Sequence, residues 1–199
     1  MKFPYEVEVK LKVLEPRALK RRLKDLGLVV VERRHFEANV VFDFRDLRLR
    51  KARSLLRLRT EGRRHIVTFK GAPHPSASYK VRREIETEVG DGGALQNIFE
   101  ALGLGPVFRY EKYRTAYAEA ARRKKAASPA LLYDETPIGN YVELEGSERA
   151  IDRLARQLGY DQKDYITTSY ATLHQEYCRQ RGIPAGDMVF NSPLGSRVG

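Results

Sequence analysis

Residues 5–13 read Tyr-Glu-Val-Glu-Val-Lys-Leu-Lys-Val. The period is two throughout: Glu6, Glu8, Lys10 and Lys12 share one face of an extended chain, and Val7, Val9, Leu11 and Val13 share the other. This is a strand with one apolar face, and its other face carries nothing but ionisable groups. The fold turns on where that second face points.

The same pattern recurs along the chain. Pro16 opens an amphipathic stretch with Leu19, Leu23 and Leu26 at helical spacing and Gly27 as its stop. A β-rich run follows over 28–44. Candidate strands at 55–61 and 65–71 flank Gly62-Arg63-Arg64, which reads as a hairpin, and alternation resumes over 79–89. A helical stripe (Leu95, Ile98, Phe99, Leu102) ends at Gly103, and a strand from about Val107 to Tyr117 leads into an Ala/Arg/Lys segment over 118–128. Two more strands are expected at 131–135 and 140–145, a helix around Ile151, Leu154, Ala155 and Leu158, and a last helix from Asp164 to Arg181. About eight largely consecutive strands favour an antiparallel sheet or barrel, and eight is near the number at which a closed barrel keeps a modest interior. The fold class is α+β. The domain is expected over 1–178, with an irregular tail over 179–199.

Composition bounds the function. The 199 residues suit one domain with a real core. A net charge of +11 favours anionic partners: nucleic acid, an acidic membrane surface or small polyphosphates. A single cysteine, Cys178, excludes an intrachain disulfide framework. No apolar run approaches the roughly 20 residues that cross a bilayer. A cytoplasmic chain without a membrane partner is expected.

The charged faces narrow the partner. They carry Lys10, Arg57, Arg59, Lys70, Arg82, Lys112 and Arg114, and against them Glu6, Glu8, Glu84, Glu86, Asp134, Glu143 and Glu145. The plainer reading is a solvated sheet face with acids and bases paired across strands. Two features oppose it. Solvated strands are usually rich in Thr, Ser and Gln, and four of the seven bases are Arg, which suits bidentate contact with phosphate oxygens. Turned inward, such faces need water, metal and a highly charged ligand. A polyphosphate with a divalent cation meets that description. The histidines (His35, His65, His74, His174) show no metal-ligand spacing with Cys178 and read as polar or packing residues. Tyr110, Tyr113 and Tyr117 read mainly as packing, and Arg122–Lys125 as a solvated loop.

Glu6-Val7-Glu8-Val9-Lys10 resembles the E-x-E-x-K signature of the CYTH superfamily, the triphosphate tunnel metalloenzymes. Phe42-Asp43, Leu-Arg-Leu-Arg at 56–59, Lys70, Arg82-x-Glu84-x-Glu86, Lys112-x-Arg114, Asp134, Glu143-x-Glu145 and Ser169-Tyr170 follow in the family's order over about residues 4–175. The family includes class IV adenylyl cyclases, thiamine triphosphatases and inorganic tripolyphosphatases. The resemblance implies an eight-stranded antiparallel tunnel with helices outside. It implies Glu6, Glu8, Glu143 and Glu145 as metal-side carboxylates with Asp134 close by, and Mg²⁺ or Mn²⁺ as the metal. Lys10, Arg57, Arg59, Lys70, Arg82, Lys112 and Arg114 would hold the triphosphate, while Glu84 and Glu86 would orient bases or hold a second metal. Lys10 inherits the family's candidacy for general base, although a lysine between carboxylates is expected to keep its proton.

The expected partner is a small-molecule triphosphate: tripolyphosphate, ATP or thiamine triphosphate. Nucleic acid is disfavoured and a homodimer is left open. Hydrolysis of the triphosphate is the first reading and cyclisation of ATP the alternative. A non-catalytic anion-binding barrel is disfavoured, because such a protein gains nothing from five extra carboxylates.

Overall fold

The computed structural model describes residues 5–76, 78–120 and 129–190. The strands are β1 (Tyr5–Val13), β2 (Leu28–Phe44), β3 (Leu55–Glu61), β4 (Arg64–Lys70), β5 (Lys80–Val89), β6 (Leu104–Glu119), β7 (Ala130–Thr136) and β8 (Gly139–Glu145). The helices are α1 (Pro16–Asp25), α2 (Arg48–Lys51), α3 (Gly92–Ala101), α4 (Glu148–Leu158) and α5 (Tyr170–Arg181). The strands close into an antiparallel barrel in the order β1-β5-β4-β3-β2-β6-β7-β8. Of the sheet and barrel that the alternation left open, the α+β barrel that the resemblance implies is the fold.

Its inside is charged and its outside apolar. Val9, Leu11 and Val13 of β1, with Leu131, Val142 and Leu144 of β7 and β8, pack against Leu19 and Leu23 of α1 and Ile151, Leu154 and Ala155 of α4. Phe42, Leu58 and Leu104 meet Leu95 and Phe99 of α3. Burying these outward faces under helices is the main stabilising contribution, at about 25 cal/mol per Å² of apolar surface. With the apolar residues outside, the period of two leaves Glu6, Glu8 and Lys10 no direction but inward.

One boundary differs from the sequence reading. The last helix begins at Tyr170, not Asp164. Asp161 caps a short 3-10 turn at Gln162–Asp164, and the Ile166 backbone then pairs with Lys10 in both directions at 2.9 Å. Ser169 starts the helix by accepting from the Thr172 amide at 3.2 Å. After Gly182, Met188 is fully buried and pairs with the β6 backbone at Arg109 and Glu111. The segment 121–128 and the tail from 191 lie outside the described residues.

Candidate functional site

The β2–β3 connection shapes one end of the barrel. The Asp43 carboxylate accepts backbone N–H bonds from Phe44 (2.7 Å), Leu49 (3.0 Å) and Arg50 (2.9 Å), which straps the β2–β3 connection in place. Leu47 and Arg53 in that connection hold left-handed backbone angles, φ 55° and 56°. Such strain costs about 1–3 kcal/mol per residue and persists only where the surroundings impose it. Both residues line a cavity of about 990 Å³ that runs into the barrel.

Every sequence-predicted site residue except Asp134 lines this cavity. Going round the barrel, β1, β5 and β8 contribute Glu6, Glu8, Lys10, Arg82, Glu84, Glu86, Glu143 and Glu145. The far wall, from β3 and β6, contributes Arg57, Arg59, Lys112 and Arg114.

The acids do not form one cluster. Glu6, Glu8 and Glu145 bring carboxylate oxygens within 4.8 Å of one another. Glu143 is turned away from them in function, since its oxygens meet Lys10 (3.3 Å) and the Arg114 guanidinium. Asp134, with no exposure, accepts from Lys112 (2.9 Å), from Arg114 through two bonds of 2.7 Å and from the Tyr170 hydroxyl (2.8 Å). Asp134 does not line the cavity, and in this structure it fixes the direction of two bases. Among the bases, Lys70 bridges Glu6 (2.7 Å) and Glu84 (2.9 Å). Arg57 donates to Thr68 (2.9 Å) and to the Tyr110 hydroxyl (3.2 Å), and Thr68 donates to Glu86 (2.9 Å). Glu84 and Glu86 thus orient Lys70 and Arg57 in this structure.

Protonation separates these groups. Burial, with a hydrogen bond shared with Glu84, pushes the Glu6 carboxyl up to about 8. Burial and the neighbouring Glu143 also raise Glu145. Burial would raise Glu8 as well, but Lys10, Lys80 and Lys70 hold it below the usual carboxylate range. Lys10 is the reverse: burial opposes its charge, and Glu8 (3.0 Å) with Glu143 prevails and raises its pKa. A lysine so held is a poor base, so the geometry opposes the role that Lys10 would inherit.

Several contributors lie outside the sequence motifs. Lys80 lines the cavity beside Glu8, two residues before Arg82 on the same face, and burial followed by Lys10 lowers it to about 8. Continuing the alternation one step back from Arg82 would have found it. Glu37, on the inward face of β2, is buried among Lys112 (3.4 Å), Arg59 (3.5 Å), Arg114 (3.6 Å) and His35 (3.6 Å). Tyr110, expected to pack, does so on Tyr170 and Phe108 while its hydroxyl takes the Arg57 bond. Tyr113 packs at a tilt against Phe36 and Phe190 and carries the Arg34 guanidinium on its face. His174 lies against Phe108 and Cys178, and His65 against Thr60.

The barrel fold has counterparts among known proteins. The family model described as the CYTH domain matches residues 4–170. The chain belongs to the CYTH family. A Methanocaldococcus jannaschii protein named "Putative adenylate cyclase" is 32% identical over 142 residues, which cover 71% of this chain and 77% of the relative. A Vibrio parahaemolyticus structure with the same description shares the fold at TM-score 0.69 and 19% identity, covering 89% of this chain and 99% of that one. A Hippeastrum structure, described as a putative adenylyl cyclase that "reveals a dominant triphophatase activity", superposes at TM-score 0.60 and 16% identity, covering 90% and 97%.

Proposed function

We propose that this CYTH protein is a metal-dependent phosphohydrolase that cleaves tripolyphosphate or an organic triphosphate inside the barrel. The observation that carries this reading is the division of the cavity: an acid trio on one wall faces four buried or nearly buried bases on the other. The trio fits a divalent cation: burial and neighbouring carboxylates raise Glu6 and Glu145, lysines keep Glu8 ionised, and a hard cation bound through oxygen relieves both the burial cost and the repulsion. Mg²⁺ or Mn²⁺ held there by Glu6, Glu8 and Glu145 would supply charge neutralisation and polarisation of a phosphoryl oxygen.

The chain's own residues do the rest. Arg57, Arg59, Lys70, Arg82, Lys112 and Arg114 present donors to the phosphoryl oxygens, with Lys80 beside them. Glu143 and Asp134 fix Arg114 and Lys112 so that little rearrangement accompanies binding. Lys10, kept protonated, adds positive charge between the two walls. The outer part of the cavity, with Val41, Leu47, Leu55, Val107 and Phe108, offers apolar surface to an organic group.

A second reading, cyclisation of ATP to cyclic AMP and pyrophosphate, is favoured by the name of the Methanocaldococcus relative and by that apolar outer surface. It needs the same grip with a different nucleophile. Incubation of the pure protein with Mg²⁺ or Mn²⁺ and with tripolyphosphate, ATP or thiamine triphosphate, followed by separation of the products, decides between them. Orthophosphate with a diphosphate supports hydrolysis, cyclic AMP supports the second reading, and no turnover of any triphosphate removes both.

A further inference from the structure

The cavity has a floor as well as walls. Along the inward face of β2, Asp43 and Val41 line it, whereas the next two inward positions, Asn39 and Glu37, do not. Their exposures are 1% and 0%. On β3, Arg57 and Arg59 line the cavity and Glu61, the next residue on that face, does not. Residues outside the strands that line it, Arg50 of α2, Arg53, Thr172 of α5 and Asp187 among them, belong to the opposite end of the barrel, where β2 ends and β3 begins. Among the described residues, therefore, the cavity opens at the α2 and α5 end, and along β2 and β3 it stops at Asn39, Glu37 and Glu61.

The floor is chemically distinct. Neither Glu37 oxygen accepts a hydrogen bond, yet three cavity-lining cations stand 3.4–3.6 Å from it. Glu61 is held by Arg59 at 2.9 Å and Arg64 at 3.6 Å. The innermost bay thus has Arg59, Lys112 and Arg114 in front and carboxylate charge behind.

We infer that Glu37 is a specificity-determining residue that closes the inner end of the tunnel, so that a triphosphate enters terminal phosphoryl first and only an unesterified end reaches Arg59, Lys112 and Arg114. This rests on the triphosphate reading given above. A terminal phosphoryl group carries more negative charge and more free oxygens than an internal one, and three converging cations suit it. A substituent on that end has to occupy space already filled by a fully buried side chain, and an anionic substituent also meets the Glu37 charge. The other end of the substrate remains free to carry an organic group toward the mouth. A longer linear polyphosphate keeps a free end and binds in the same way.

The test compares ADP with diadenosine triphosphate by calorimetry at one ionic strength with Mg²⁺ present. Both carry about three negative charges at pH 8, but only ADP has a free phosphate end. ADP, ATP and tripolyphosphate are expected to bind, and diadenosine triphosphate to bind about a hundredfold more weakly than ADP for the loss of one or two charge-assisted contacts. In Glu37→Gln, orthophosphate affinity is expected to rise about tenfold once the charge behind the bay is gone, while diadenosine triphosphate stays weak because the volume is unchanged. Diadenosine triphosphate binding within about threefold of ADP in the wild type overturns the closed floor and leaves the triphosphate reading standing. Unchanged orthophosphate affinity in Glu37→Gln overturns the placement of the terminal phosphoryl group. Failure of the wild type to bind ATP or tripolyphosphate sinks the triphosphate reading itself.

Discussion

Two glutamate clusters in this barrel look alike on paper. Glu6, Glu8 and Glu145 on one wall, and His35, Glu37 and Glu61 at the floor, each bring three ligand atoms within 4.8 Å of one another. Their surroundings differ in sign. At the wall, burial and neighbouring carboxylates raise Glu6 and Glu145, and only Glu8 of the trio is held low, by Lys10, Lys80 and Lys70. At the floor, burial would raise Glu37, but Lys112, Arg114, His35 and Arg59 overcome it and hold the carboxyl well below the usual range. A cation would relieve the first cluster. The second is already neutralised, and its histidine is pushed up to about 9, chiefly by the Glu37 carboxylate 3.6 Å away, so it carries a proton where a metal would need a lone pair. Proximity of ligand atoms is therefore a poor guide, and the local charge balance separates the two.

The largest effect expected from this contrast is on activity. Removing divalent metal with a chelator should abolish triphosphate turnover, and Mg²⁺ or Mn²⁺ should restore it. Glu145→Gln should lower turnover by about a hundredfold or more, at the scale of outer and direct metal partners, while Glu61→Gln should change it little. Equal losses in the two variants, measured by phosphate release, would erase the distinction between wall and floor.

Stability should separate two neighbours on β8. Glu143 is buried and paired with Lys10 and Arg114, which keep Glu8 and Asp134 as partners, so Glu143→Gln removes charge-assisted contacts and should cost on the order of 1.5–3 kcal/mol. Among the described residues no ion pair within 4 Å reaches Glu145, and Glu145→Gln should leave the melting temperature unchanged or raise it. Thermal unfolding of both variants without metal tests this, and a destabilised Glu145→Gln protein would show that Glu145 is a structural partner.

How much of this was legible in the sequence follows from the barrel's inversion. Because apolar faces point out to helices and charged faces point in, alternation is strict on β1, β3 and β5, and Glu6, Glu8, Arg57, Arg59, Arg82 and Glu84 could be read directly. Glu37 could not. Irregular pairing between Val30 and Glu32 and between Glu32 and His35 breaks the period of β2 just before it, so no face can be counted through that stretch. Asp134 was legible as a tunnel acid but not as a partner of Tyr170, because that contact depends on how α5 closes over the barrel. The start of α5 was misplaced for a related reason: Ile166 is held by a backbone pairing that no local pattern encodes.

Anion selectivity should sharpen the opposite wall. Arg57 and Arg59 lie two apart on β3, about 7 Å along the strand, so an extended triphosphate can meet both and orthophosphate only one. Arg57→Ala or Arg59→Ala should weaken tripolyphosphate binding by roughly ten- to hundredfold, the loss of one charge-assisted contact of about 1.5–3 kcal/mol, and orthophosphate binding less. Calorimetry at fixed salt is required, because a chain of charge +11 binds any polyanion loosely. Equal weakening for both anions would make this wall a diffuse basic surface.

The smallest effect expected is a pH slope, and it bears most directly on the contrast. The Glu6 carboxyl rises from 4.5 to about 8 on folding, so ionising it costs stability. The cost is absent below about 4.5, grows through the window up to 8 and is constant above it. Glu6→Gln should therefore gain melting temperature relative to wild type as pH rises through that window, by about 2–4 °C for each kcal/mol of cost removed. Loss of the 2.7 Å pair with Lys70 sets an offset of the other sign, so the slope and not the offset carries the test. Glu37→Gln should slope from the same cause in reverse: a depressed carboxyl contributes stability above its unfolded pKa and loses it as pH falls, so that variant's deficit should shrink in acid. Saturating Mg²⁺ should flatten the Glu6 slope, because a bound cation keeps the carboxylate ionised at every pH of the window, and should leave the Glu37 slope as it was. Flattening of both, or of neither, would mean that the two clusters do not differ in the way their charges indicate.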